Sequence, residues 1–199
     1  MAGGRNTRYG ALKALETVGG TRIVDRVVAA MRAATPAVGL IANDAAAYAS
    51  VALPMRPDAQ PGLGALGGLL TALQWAKSEG RGGILAVACD MPFVSSELLR
   101  SIAHTAEERS ELDVIAPESS SRRGLEPLCA YYSVRCLPAL EQAVARGDLR
   151  MIGFHDQVRV HRIPLEEVQR FGDPDILFMN VNTPAERDRA EQIARASST

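Results

Sequence analysis

The chain has 199 residues, of which 47% are hydrophobic and 23% charged, and its formal net charge is -1. That balance fits one well-packed α/β-sized domain over residues 1–199, with no global basic field to attract nucleic acid. Cys89, Cys129 and Cys136 form neither an even disulfide set nor a metal knuckle, and no apolar run reaches the length of a membrane span or a secretory leader. A cytoplasmic protein, bound to neither membrane nor nucleic acid, is expected.

The opening stretch is MAGGRNTRYGALK, residues 1–13. Gly3 and Gly4 let the backbone approach an anion and turn its N–H groups toward it. Arg5, Arg8 and Lys13 add positive charge, and a following helix would add its N-terminal dipole. This opening stretch matches neither GxxxxGK[ST] nor GxGxxG. The residues alone therefore leave two readings open, a phosphate loop or a glycine-rich solvated terminus.

A helical pattern runs over 21–34, and residues 37–42 (AVGLIA) read as a strand leading to Asn43. Arg56-Pro57-Asp58 precedes the small-residue run 61–68 (PGLGALGG), which enters a helix predicted over 66–78. Small residues there permit a base or ribose to lie against backbone, and Asp58 can receive a guanine-edge N–H or a ribose hydroxyl. Tight helix–sheet packing beside an exposed acid is the alternative. Residues 83–89 (GILAVAC) form the most apolar run and read as a strand buried on both faces. Asp90-Met91-Pro92 follows it. An aspartate at the carboxyl end of such a strand lies where open α/β sheets bind ligands, and its hard oxygens suit a divalent cation carrying a polyphosphate. Otherwise Asp90 caps a turn that Pro92 sets. Cys89 reads as a small buried apolar residue.

Helices over 96–109 and 134–146, with N-cap oxygens from Ser95, Ser96 and Ser133, alternate with strands over 112–116 and 128–133. Between those strands the loop Arg122-Arg123-Gly124-Leu125-Glu126-Pro127 suits an anionic second substrate, although paired arginines are commonly just solvated. Residues 158–163 alternate apolar and charged residues, which predicts a half-exposed, antiparallel strand. A further strand is predicted from Phe178 toward the last helix, which opens at Thr183-Pro184-Ala185-Glu186 as a capping box. Asn182 stands just outside it, to bind a ligand, to assist a metal site or to form an Asx-turn. His104, His155 and His161 are scattered, and no Ser-His-Asp or Cys-His arrangement can be read. Chemistry that depends on positioning and charge neutralisation, such as nucleotidyl transfer, remains.

Taken in order, these motifs resemble those of the molybdenum cofactor guanylyltransferases, within the Rossmann-like nucleotidyltransferases. That family opens on LAGG, Arg-Met-Gly and Lys, matched here by Ala2-Gly3-Gly4, Arg8-Tyr9-Gly10 and Lys13. An Asn, an Asp, a PLAG-like turn, a CD-x-P site and a closing NVNTPEE are matched by Asn43, Asp58, Ala65-Leu66-Gly67-Gly68, Cys89-Asp90-Met91-Pro92 and residues 180–186 (NVNTPAE). Met1, Tyr9 and Ala65 depart from the family's Leu, Met and Pro.

The resemblance implies a three-layer α/β/α fold with a mostly parallel sheet of the nucleotidyltransferase type. It also implies that the first strand is lacking, because Met1 stands where that strand's last residue belongs, and a start upstream is expected. The implied reaction uses GTP and Mg²⁺: the terminal phosphate of molybdopterin attacks the α-phosphorus, GMP is transferred and pyrophosphate leaves. By the same resemblance Lys13, Asp90 and Arg8 are catalytic, and Asp90 holds the metal. Met1, Ala2, Gly3, Gly4, Lys13, Asn43, Asp58, Gly68 and Asp90 bind the nucleotide, and Asn180, Asn182 and Arg122 border the acceptor. The AGG opening favours GTP over CTP. A monomer or weak homo-oligomer serving molybdoenzyme-maturation proteins is expected. The alternatives are cytidylyl or sugar-phosphate nucleotidyl transfer on the same fold, or a catalytically silent nucleotide-binding accessory protein.

Overall fold

The computed structural model describes residues 13–121 and 124–196. A 3-10 turn, Lys13–Leu15, leads into two short strands, β1 (Thr17–Val18) and β2 (Thr21–Arg22). They are joined by Gly19 and Gly20, both left-handed (φ 57° and 76°), the backbone that a two-residue hairpin turn requires. Next come α1 (Ile23–Ala34), β3 (Leu40–Ile41), β4 (Met55–Arg56), α2 (Gly64–Ser78), β5 (Gly83–Val87) and α3 (Ser96–Glu108). The rest comprises β6 (Val114–Pro117), β7 (Cys129–Ser133), α4 (Leu137–Ala145), β8 (Val160–Ile163), the single turns α5 (Leu165–Val168) and α6 (Pro174–Leu177), and α7 (Pro184–Ala196).

Side-chain alternation decides which helices cover which face of the sheet. Val114 and Ala116 of β6, with Ala130 and Tyr132 of β7, pack against α2 and α4 through Leu66, Leu69, Leu70, Leu73 and Leu140. Ile115 and Cys129 face the other way, onto α1 and α3 through Val27, Leu98, Leu99 and Ile102. The result is three layers, α/β/α. Each fully buried leucine contributes about 1.5–3 kcal/mol of burial free energy. Ser95 caps α3 by accepting from Leu98 N–H at 3.2 Å, and Ser133 accepts from Arg135 N–H at 3.2 Å.

The main sheet has the order β5-β7-β6-β8, with β7 antiparallel to both neighbours and β6 parallel to β8. Three of its four strands therefore point one way. A second parallel pair, β3–β4, stands apart. Two details differ from the sequence expectation. Residues 158–163 yield β8, which is parallel to β6 rather than antiparallel, because alternating exposure marks an edge position and carries no direction. Residues 178–183 form no strand; their alternate apolar residues, Met179 and Val181, instead pack on Val18, Ile23 and Ala190. Among the described residues β5 has one neighbouring strand, and a cavity of about 560 Å³ lies between it and β3, lined by Val24, Val28, Leu40, Trp75, Leu85 and Val87.

His155 packs edge-on to Phe154, and its Nε2 is buried without a hydrogen-bond partner among the described residues. Burial, aided by the Arg162 charge, pushes its pKa from 6.5 down to about 4. The unfolded chain takes up this proton near pH 6.5 and the native one only near pH 4, so stability rises with pH across that window. The urea midpoint is expected to fall as pH drops from 6.5 to 4, and less steeply in His155→Leu, as followed by circular dichroism. An unaltered slope in that variant refutes the assignment.

Candidate active site

The β3–β4 pairing explains the first half of the site. Leu40 lies opposite Met55 and Ile41 opposite Arg56, and Ala42 N–H continues the ladder to Arg56 C=O at 3.0 Å. Continuing that register past the strand ends puts Asn43 beside Asp58. The Asn43 amide donates to Asp58 Oδ2 at 2.9 Å, and Asn43 Oδ1 accepts from Asp58 N–H at 2.8 Å. This closed pair leaves Asp58 Oδ1 buried without a partner among the described residues, an acceptor available to a ligand N–H or O–H. The adjoining backbone is held by Thr71, which accepts from Ala59 N–H and donates to Gly67 C=O, both at 2.9 Å.

The second half gathers at the carboxyl end of β5. Asp90 C=O accepts from Val181 N–H at 2.9 Å, which sets the 178–183 segment against the loop after β5. Asn180 and Asn182 flank that anchor; the Asn180 amide donates to Phe178 C=O at 3.3 Å. Lys13 Nζ reaches Asn182 Oδ1 at 3.5 Å. Burial raises the Asp90 carboxyl above the usual carboxylate range; the Lys13 charge opposes that shift and the Glu186 charge adds to it. The half-buried Asp90 carboxylate, with Asn180 and Asn182 on the segment bonded to its own main chain, offers hard oxygen donors. Among the described residues no three His, Cys, Asp or Glu groups converge. One carboxylate plus substrate phosphates is the way Mg²⁺ is commonly held, with waters completing its shell.

One apolar cluster joins the two halves. Ala14, Ala42 and Cys89, neighbours in sequence of Lys13, Asn43 and Asp90, pack with Val24, Leu40 and Tyr48. Burial raises the Cys89 thiol to about 11, so it packs as a small apolar residue and is no thiolate nucleophile. Burial likewise takes the Tyr48 phenol to about 12, with the Cys89, Asp44 and Asp90 charges acting in the same direction. Tyr48 is thus a neutral hydroxyl beside the site. Sequence reasoning did not single it out; its only signal is an aromatic among the small residues of 45–52 (AAAYASVA).

Lys13, Asp90 and Asn182 are brought into one group, with Asn180 alongside, and Asn43 with Asp58 into another. Gly68 is buried inside the first turns of α2, and Ala65–Gly68 are helical rather than a separate turn, because the chain reverses earlier at Gly62 and Gly64. Met1, Ala2, Gly3, Gly4, Arg8 and Arg122 lie outside the described residues.

The family description MobA-like NTP transferase domain matches residues 1–160. A Pelotomaculum thermopropionicum protein named "Probable molybdenum cofactor guanylyltransferase" is 33% identical over 199 residues, spanning 100% of this chain and 93% of the relative. The molybdenum cofactor guanylyltransferase of Desulfosudis oleivorans is 31% identical over 198 residues, 98% of this chain and 94% of its own. Molybdopterin-guanine dinucleotide biosynthesis protein A from Archaeoglobus fulgidus superposes with a TM-score of 0.78 at 26% identity, covering 100% of this chain and 97% of that one. The chain belongs to the MobA-like NTP transferase family and, within it, to the molybdenum cofactor guanylyltransferases.

Proposed function

We propose that this chain, as one nucleotidyltransferase domain over residues 1–199, transfers GMP from GTP to molybdopterin and releases pyrophosphate. The observation that carries the reading is the convergence of Lys13, Asp90 and Asn182 at the carboxyl end of β5, in a chain aligned end to end with named guanylyltransferases. Asp58, held by Asn43 through Oδ2, accepts a hydrogen bond from the nucleoside on Oδ1. The Lys13 ammonium neutralises phosphate charge as the leaving oxygen departs. Asp90 holds Mg²⁺, which supplies Lewis-acid polarisation of the phosphoryl oxygens when bound. Asn180 and Asn182 border the acceptor and orient its phosphate for in-line attack, and the Asn182 amide oxygen assists Asp90 at the metal. The family resemblance adds Met1, Ala2, Gly3, Gly4 and Arg8 to the nucleotide side, with Gly68 behind it, and Arg122 to the acceptor side. The enzyme works in the cytoplasm as a monomer or weak homo-oligomer and passes its product to molybdoenzyme-maturation proteins.

Turnover across the four nucleoside triphosphates, with and without molybdopterin, tests this. Pyrophosphate is expected only with GTP, molybdopterin and Mg²⁺ together. Robust product from CTP, or with a sugar phosphate in place of molybdopterin, refutes the reading in favour of another transferase of this fold.

A further inference from the structure

The opening of α7 departs from an ordinary capping box in one bond. Thr183 is the cap and takes Glu186 N–H on its Oγ1 at 3.2 Å, as such a cap does. The Glu186 carboxylate ordinarily returns the favour to the cap's own N–H. Here Oε2 passes over Thr183 and accepts from Asn182 N–H at 2.7 Å. Asn182 is the residue whose side chain meets Lys13, and it is the immediate neighbour of Val181, which is bonded to Asp90 C=O. The helix beneath is itself fixed: Ala190 and Ala194 are buried against Val18, and Glu191 Oε2 accepts from Gly19 N–H at 2.7 Å.

We propose that Glu186 is a positioning residue of the transfer site, holding the Asn182 main chain so that its side chain stays beside Lys13, at the loop that carries Asp90. The assignment of Asn182 to the reacting region rests on the guanylyl-transfer reading. The tether acts through a hydrogen bond that a neutral amide oxygen can also accept, so glutamine preserves it and alanine does not. Loss of an outer partner of this kind commonly costs about 10–100-fold in metal affinity or activity. The Glu186 charge itself lies half-buried near Asp90, and its removal alone has a smaller effect on the site.

Three variants separate the alternatives: Glu186→Ala, Glu186→Gln and Thr183→Val, the last removing the other cap bond without touching Asn182. Two quantities are read, turnover and the affinity of the enzyme–GTP complex for Mn²⁺ measured by electron paramagnetic resonance without acceptor. Glu186→Ala is expected to lower kcat and Mn²⁺ affinity about 10–100-fold. In Glu186→Gln both remain within about threefold of wild type, the expected cost of losing a partly solvated charge. Thr183→Val lowers thermal stability while kcat and Mn²⁺ affinity hold. Unchanged Mn²⁺ affinity in Glu186→Ala overturns the proposal. So does equal loss in Glu186→Gln, which would assign the effect to charge, or equal loss in Thr183→Val, which would assign it to helix capping. A wild type that binds Mn²⁺–GTP but makes no product with molybdopterin defeats the reaction assignment instead, and leaves the Mn²⁺ comparison standing.

Discussion

Asp90→Asn is expected to lower turnover about a thousandfold, the scale of several kcal/mol that a bound metal supplies to the developing charge. The substitution keeps the backbone carbonyl that anchors Val181, so the 178–183 segment stays in place and the loss reports on the carboxylate alone. Stability should move the other way. Burial raises the native Asp90 pKa above its unfolded value, so the native state binds this proton more tightly. The group favours folding in acid, and that contribution is lost as pH rises through the native pKa. Near neutral pH the ionised Asp90 is therefore a cost, and a neutral amide removes it. A variant with a higher melting temperature and almost no pyrophosphate release is the expected result. Full activity in Asp90→Asn would remove the metal from this position. A lowered melting temperature would show that the carboxylate is structurally needed.

Such a division between stability and function bears on what can be read from the chain alone. Residues 83–89 announce a strand because the run is apolar throughout, and 112–116 because a short apolar stretch is bounded by turn residues; Gly83, Ile84 and Leu85 of the first are half-buried rather than covered on both faces. The caps Ser95, Ser133 and Thr183 are legible because capping is a contact over two or three residues. Long-range pairing has no comparable local sign. The β1–β2 hairpin offers only two residues a side around Gly19-Gly20, and the direction of β8 comes from its neighbour β6. The run at 178–183 shows the converse error: Met179 and Val181 are buried by packing on α7, and burial without a ladder was read as a strand. In the site, Lys13 stands out as the last cation of the glycine-rich opening stretch, Asp90 because it follows the apolar run 83–89, and Asn182 because it precedes the capping box at 183–186. The Asn43–Asp58 pair becomes visible only with the β3–β4 register. The Glu186 carboxylate carries a capping signal in sequence, and only the folded chain shows that it serves Asn182 instead of the cap.

Lys13→Ala is the complementary loss, and its signature differs from that of Asp90. Ala14 is buried beside Val24 and Leu40, so the turn carrying Lys13 is anchored by its neighbour and survives truncation of the lysine. What disappears is a half-buried ammonium at 3.5 Å from Asn182 Oδ1, within electrostatic reach of Asp90. With the triphosphate bound, that ammonium contributes a charge-assisted contact to oxygens that gain charge as pyrophosphate departs. Its removal is expected to lower kcat/KM for GTP about 10²–10³-fold. Lysine also holds the Asp90 carboxyl down against the effect of burial, so without it Asp90 protonates at higher pH. The pH below which Mn²⁺ binding to the enzyme–GTP complex fails should therefore move upward in Lys13→Ala. Lys13→Arg tests geometry separately, since a planar fork does not reproduce a compact ammonium beside Asn182 Oδ1. An unchanged kcat/KM in Lys13→Ala, with the Mn²⁺ pH profile also unmoved, would place the phosphate-binding charge elsewhere in the chain. A moved profile with unchanged kcat/KM would leave Lys13 as a partner of Asp90 alone.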